Sequence, residues 1–231
     1  MTTVTISQSN YLPWRGYFSQ IQNSDFFVFL DNVQFTRRDW RTRNRIRTPQ
    51  GTEWLNVPVL KTESQFELIE NVTILNDSFL EKHLETIRRN YSRSKYFHPN
   101  WMELQNILSD SYNEKLSTFN QRVIENFSDR FRLDCRFMNA RQFENSEDAT
   151  ERLLNICLAL KATKYQTGPK AKSYLDLSRF NSNGIEVIWS NYDLKKYDQL
   201  WDLDFDPNVS VVDLILNVGF ENDYLKPISG Y

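Results

Sequence analysis

The run of residues 26–30, Phe-Phe-Val-Phe-Leu, constrains the fold more strongly than any other part of the chain. Five consecutive apolar residues of this kind are typical of a strand buried on both faces, as in a parallel sheet covered by helices. Asp31 follows the run directly. Because open α/β sheets bind ligands just beyond the carboxyl ends of their strands, Asp31 is a candidate site residue.

The remaining sequence predicts strands and helices that alternate around this run. Strands are predicted over residues 4–7, 52–59, 68–75, 133–138, 164–166 and 185–190. Helices are predicted to begin at Asp77 and to cover residues 17–23, 101–110, 116–130, 149–161, 169–175 and 209–218. This order favours a single compact α/β domain over residues 1–231, with a mixed or parallel sheet flanked by helices; α+β is the alternative.

The composition excludes several common kinds of site. The chain has only six glycines, and neither a G-x-G-x-x-G nor a Walker-type phosphate loop occurs in it. With only two histidines, His83 and His98, a zinc site and a histidine-based triad are both thinly supplied. We therefore expect no metal ion.

Charge and hydropathy indicate the compartment and the partners to expect. The sequence has no apolar run of 18 residues and no basic segment leading into an apolar core at its N-terminus, which predicts no membrane insertion. Cys135 and Cys157 lie in apolar-periodic segments and are interpreted as reduced core residues of a cytoplasmic protein. The net charge is -2, so no overall field attracts nucleic acid, and we expect no nucleic-acid partner.

Six arginines lie between residues 37 and 47, at positions 37, 38, 41, 43, 45 and 47. From Arg41 onward they recur at every second residue, which in a strand places four guanidinium groups on one face. Like charges on one face repel unless anions offset them, and guanidinium groups match phosphate oxygens in bidentate geometry. From this group of six we take Arg37, Arg41, Arg43 and Arg45 as the candidate ligands of a pyrophosphate. A solvated edge strand and an RNA-binding strip are the alternatives.

Residues 8–18, Gln-Ser-Asn-Tyr-Leu-Pro-Trp-Arg-Gly-Tyr-Phe, form a second candidate region. They follow a predicted strand as an irregular loop punctuated by proline and glycine. Amide side chains bind hydroxyl groups, and aromatic faces stack on sugars or bases. Gln8, Asn10, Tyr11 and Trp14 are therefore candidate substrate-binding residues. A buried aromatic plug that closes the edge of the sheet is the alternative.

A third candidate region is the connection from the predicted strand at 164–166 to the predicted helix at 169–175. Backbone N–H groups at the start of a helix bind anions, and Lys170 adds positive charge there. Thr167, Gly168 and Lys170 are therefore candidates for binding a phosphate. An ordinary connection between a strand and a helix is the alternative.

Several of these segments, taken in order, resemble the WbqC-like protein family. The N-terminal motifs are Asn-Tyr-Leu-Pro-Trp-Arg-Gly-Tyr-Phe (10–18), Phe-Val-Phe-Leu-Asp-Asn-Val-Gln-Phe (27–35) and Arg-Asp-Trp-Arg-Thr-Arg-Asn-Arg-Ile (38–46). Later ones are Glu-Arg-Leu (151–153), Tyr-Gln-Thr-Gly-Pro (165–169), Tyr-Leu-Asp (174–176), Tyr-Asp-Gln (197–199) and Ser-Val-Val-Asp-Leu-Ile-Leu-Asn-Val-Gly (210–219). The resemblance spans residues 6–219. Many members carry His-Gln-Pro where this chain has Ser7-Gln8-Ser9, so a general base at that histidine would be absent here.

The family is associated with O-antigen and related lipopolysaccharide gene clusters, and a glycine-transferase role has been suggested for some members. The resemblance implies a transferase that moves an acyl or aminoacyl group, such as glycyl, to the amine of a nucleotide-linked amino sugar. Asp31 is then the candidate catalytic base, and an acyl or aminoacyl donor is the second substrate. The alternatives are an ATP-dependent ligase that joins a small acid to an amino sugar, and a non-catalytic partner of a polysaccharide enzyme.

Overall fold

The computed structural model of the protein describes residues 1–61 and 66–228. The central sheet contains β1 (Thr3–Ser7), β2 (Phe26–Phe29), β5 (Arg136–Asn139), β6 (Lys164–Thr167) and β7 (Glu186–Trp189). All neighbouring strands in it are parallel, and their order is β5-β2-β1-β6-β7. A separate antiparallel hairpin contains β3 (Arg43–Thr48) and β4 (Gly51–Asn56).

The helices of the described residues are α1 (Arg15–Gln22), α2 (Ser78–Tyr91), α3 (Phe97–Ser111), α4 (Leu116–Arg130), α5 (Ala149–Ala159), α6 (Leu177–Ser182) and α7 (Val211–Val218). The predicted α/β class is therefore confirmed, and the sheet is of the parallel kind. No helix within this part of the chain has the length and apolar character needed to cross a bilayer.

Side chains of β2 show how the sheet is covered on both faces. Phe27 and Phe29 pack into one apolar cluster, to which α1, α2, α3, α4 and α7 contribute. Val28, between them, packs into a second cluster that includes residues of α5 and α6. Burial on both faces explains why the sequence of this strand shows no polar alternation.

The strand order creates a topological switch point between β1 and β6. From β1 the chain runs to β2 and β5 on one side of the sheet, and it then returns to β6 and β7 on the other. Connections that leave neighbouring strands in opposite directions leave a crevice at their carboxyl ends, where doubly wound sheets bind ligands.

Three local predictions were wrong. Residues 68–75 do not form a strand: Ile69–Asn71 is a short 3₁₀ helix, and Leu68, Thr73 and Ile74 form only isolated bridges to three different segments. Without one continuous partner, β-type composition cannot build a ladder. The predicted strand over 52–59 ends at Asn56, and the predicted helix over 169–175 is the 3₁₀ helix Pro169–Ser173.

Candidate functional site

A cleft of about 730 Å³ opens beside the carboxyl ends of β1 and β6. Its side chains are of three kinds: aromatic (Trp14, Trp40, Trp54 and Tyr192), cationic (Arg43, Arg45 and Lys170) and amide (Asn10, Asn44 and Asn208). Among the described residues that line it, none is a carboxylate or a histidine. We call it the aromatic–basic cleft. Its composition suits an anionic ligand that also carries rings.

Two aromatic pairs form its walls. Trp40 and Trp54 have ring centroids 5.7 Å apart, and Trp14 and Tyr192 have centroids 4.9 Å apart. Trp40 and Trp54 remain 40% and 41% exposed, which is unusual for tryptophan outside a binding surface. Exposed rings on a concave surface provide faces on which a base or a sugar can stack.

The β3–β4 hairpin carries the main cations of the cleft. The guanidinium group of Arg43 lies 4.5 Å from the ring centroid of Trp54. Arg45 is paired opposite Trp54 in the register, and its Nη2 is 3.3 Å from Asp206 Oδ2. Within residues 1–61 and 66–228, neither Arg43 nor Lys170 forms an ion pair. Their charges are available to a ligand.

Arg47 lies in β3 with Arg43 and Arg45, but Arg41 does not, so the prediction that four alternating arginines share one strand face was wrong for Arg41. Arg41 precedes β3 and forms an ion pair with Asp39. Arg47 is buried, and its Nη2 donates a hydrogen bond to the carbonyl of Asp204 at 2.8 Å. Arg37 lines a different cavity of about 480 Å³. A role for Arg37 or Arg41 in substrate binding stays a prediction.

The loop after β1 divides its predicted residues between the cleft and the core. Asn10 and Trp14 line the cleft. Tyr11 is completely buried, and its hydroxyl lies 2.7 Å from His83 Nδ1, so its side chain cannot reach a ligand in this conformation. Burial lowers the pKa of His83 to about 4 and raises that of Tyr11, so both side chains are neutral. The pair anchors the loop.

Asp31 follows β2, as predicted. Among the described residues, however, it belongs neither to the lining of the cleft nor to that of a second cavity beside it. It is fully buried. Its Oδ1 accepts a hydrogen bond from the Ser9 backbone N–H at 2.8 Å, and its Oδ2 accepts one from Gln121 Nε2 at 2.7 Å. Burial raises the pKa of the carboxyl group, while these two donors oppose the shift. The contacts favour a role in positioning the loop, and the catalytic role of Asp31 stays a prediction.

A second cavity, of about 530 Å³, adjoins the cleft. Ser7 and Gln8 at the end of β1 line it, together with Thr167 at the end of β6. Gly168 and Lys170 line both spaces. The three regions predicted from the sequence therefore meet at the switch point.

A network of hydrogen bonds around a buried carboxylate lies next to the cleft, at the first turn of α7. Asp213, in the first turn of α7, accepts hydrogen bonds from the hydroxyls of Tyr91 and Tyr197 at 2.7 Å and from Gln199 Nε2 at 2.9 Å. Gln199 also bonds both backbone groups of Asp206, the partner of Arg45. The network thus fixes the segment that carries Asp206.

Sequence reasoning missed Trp40, Trp54, Tyr192 and Asn208. For Trp54 the sequence contains a signal: Pro49-Gln50-Gly51 is typical of a turn, and pairing the strands outward from it places Trp54 opposite Arg45. The other three lie in irregular segments that reach the cleft from distant parts of the chain, and no local pattern indicates that.

The fold and the cleft define an α/β protein with a doubly wound type of sheet and a ligand-binding crevice at its switch point. The WbqC-like protein family matches residues 8–224, and the chain belongs to this family. It is 39% identical over 228 residues to the uncharacterized protein Rv1507c of Mycobacterium tuberculosis, an alignment that covers 98% of each chain. No solved structure matches it.

Proposed function

We propose that the protein is a transferase of surface-polysaccharide biosynthesis that binds a nucleotide-linked amino sugar in the aromatic–basic cleft. An acyl or aminoacyl group, such as glycyl, is then transferred to the amine of this sugar. The observation that carries the proposal is the convergence of stacking rings with unpaired cations at the switch point of the sheet.

The parts of a nucleotide sugar correspond to the parts of the cleft. A base or sugar ring stacks on Trp14, Trp40 or Trp54, and the pyrophosphate lies between Arg43, Arg45 and Lys170. Amide groups such as that of Asn10 bind sugar hydroxyls. At about 730 Å³ the cleft lies within the usual range of small-molecule sites.

In the transfer, the sugar nitrogen forms a bond to the acyl carbon of an activated donor. The bond from this carbon to the leaving group breaks, and the leaving group departs with the electron pair. The amine proton passes to a base. For Asp31 to be this base, the loop that carries Ser9 would have to move, because the carboxyl group is fully buried and Ser9 donates to one of its oxygens.

Thermal unfolding with a panel of UDP- and dTDP-linked amino sugars tests the binding step. A ligand at about 100 times its Kd stabilises the folded state by about 2.7 kcal/mol, which corresponds to about 5–11 °C in a chain of this size. Arg43→Ala and Arg45→Ala should abolish the shift. Arg88→Ala is the matched control, because Arg88 is exposed on α2 and, among the described residues, forms its ion pair with Glu85, three residues earlier.

No shift with any nucleotide sugar, or an equal shift in Arg43→Ala and Arg88→Ala, would contradict the proposal. Mass spectrometry of the sugar product then tests the transfer itself. ATP consumption that requires both a small acid and the amino sugar would identify the ligase instead. Co-purification of a stoichiometric partner without turnover would identify the non-catalytic role.

A further inference from the structure

The second cavity and the aromatic–basic cleft share part of their lining. Gly168 and Lys170 line both spaces, and beside them Gln20 Nε2 donates a hydrogen bond to Tyr192 Oη. Gln20 faces the second cavity and Tyr192 faces the cleft. A Cβ atom at Gly168 would lie 3.2 Å from Tyr192 Oη, so a side chain there would push Tyr192 aside by a few tenths of an ångström.

The charges in the second cavity are not neutralised by the protein. Arg152, from α5, and Lys170 line it, and none of its described lining residues is a carboxylate. Neither cation forms an ion pair within residues 1–61 and 66–228. Two like charges beside one cavity repel, and an anion between them removes this cost.

The guanidinium group of Arg152 is held in place from one side. Its Nε donates to the Ser146 carbonyl at 2.8 Å and its Nη2 to the Glu147 carbonyl at 3.5 Å. Carbonyl oxygens orient the group without cancelling its charge. Across the cavity, Ser7, Gln8 and Thr167 supply hydroxyl and amide donors from the strand ends.

We propose that the second cavity is a separate binding site for a small molecule with a carboxylate or phosphoryl group, and that Arg152 and Lys170 hold this anion. This assignment rests on the proposed function: the occupant is the group donor, and it meets the sugar amine across Gly168. Arg152 is then a binding residue for the donor, whereas Arg43 and Arg45 bind the acceptor.

Isothermal titration of the full chain with inorganic phosphate, with glycine and with glycine methyl ester tests this assignment. Phosphate binding indicates a donor activated by a phosphoryl group, and binding of glycine but not of its ester indicates an unactivated acid, as the ATP-dependent ligase would use. Arg152→Ala should lower the affinity for whichever anion binds by about 10- to 100-fold, as expected for the loss of a charged hydrogen bond. Arg43→Ala should leave the affinity for this anion unchanged. With a nucleotide sugar the pattern should be reversed: Arg43→Ala should weaken its binding and Arg152→Ala should not.

Lys170→Gln is the second variant, because Lys170 is exposed and forms no ion pair within residues 1–61 and 66–228. This variant should weaken the binding of both the anion and the nucleotide sugar. Absence of binding by phosphate and glycine, or anion binding that is lost in Arg43→Ala and kept in Arg152→Ala, would overturn the second site. Nucleotide-sugar binding that persists in the same experiments would leave the proposed function standing, so the two failures are distinguishable.

Discussion

Replacing Gly16 by alanine should deform the aromatic–basic cleft without changing its charge. Gly16 lies in the first turn of α1, under the indole ring of Trp14. A Cβ atom there would lie 2.8 Å from Trp14 Cε2 and closer still to Cζ2 and Cη2. Ordinary carbon contacts are about 3.5–4.0 Å, so the ring must move by about 1 Å. Since this ring packs against Tyr192, the displacement alters the wall of the cleft.

Overpacking of this kind costs about 1–3 kcal/mol, and the better helix propensity of alanine offsets at most about 1 kcal/mol. The expected fall in Tm is therefore up to about 12 °C. Thermal unfolding with and without the nucleotide sugar gives both the loss of stability and the loss of the ligand-induced shift.

Gly184→Ala is the matched control. Gly184 has a φ of +71°, and a Cβ atom there would meet nothing within 4 Å, so alanine costs about 1–2 kcal/mol of backbone strain away from the cleft. This variant should lose stability but keep the ligand-induced shift. If Gly16→Ala also keeps the full shift, Trp14 does not contact the ligand and our assignment of this wall is refuted.

Two further predictions concern the buried polar groups. Burial lowers the pKa of His83 from 6.5 to about 4. Between these two pH values the unfolded chain therefore binds a proton that the folded chain does not bind. The corresponding stability of about 3 kcal/mol is fully present above pH 6.5 and is lost as the pH falls to 4. Urea unfolding at pH 7 and pH 4.5 should show this loss in His98→Gln but not in His83→Gln. Asp213→Ala should cost about 3–5 kcal/mol, because the buried hydroxyls of Tyr91 and Tyr197 lose their acceptor. A cost below about 1 kcal/mol in urea unfolding would contradict the supporting role of the network.

Much of the fold follows from local patterns, but its topology does not. The helix predicted over residues 116–130 has the bounds of α4, since its apolar stripe alternates regularly with polar residues. The apolar run that ends before Asp31 is a buried strand, as predicted. The strand order is different in kind, because it depends on which helices cover which face, and side-chain periodicity contains no such information.

The candidate site shows the same limit at the level of single residues. Period-two spacing correctly predicts that Arg43, Arg45 and Arg47 share a face, because all three lie in β3. It cannot tell where a strand begins, and Arg38, with a φ of +56°, lies in the turn that leaves Arg41 outside. Burial is equally non-local: Tyr11 and Trp14 occur in one loop, yet only Trp14 reaches the cleft.

Ser7 determines how a transfer in this chain could handle the amine proton. It lines the second cavity together with Arg152 and Lys170, and the sequence resemblance implies a histidine at this position in many relatives. Two nearby cations would lower the pKa of an imidazole there and keep it neutral, as a base requires, whereas a serine hydroxyl only donates or accepts hydrogen bonds. With Ser7, the transfer rate should therefore rise with pH until the amine itself is neutral. Ser7→His should move the midpoint of the pH–rate profile toward the pKa of imidazole. An unchanged profile in this variant would show that position 7 takes no part in proton transfer.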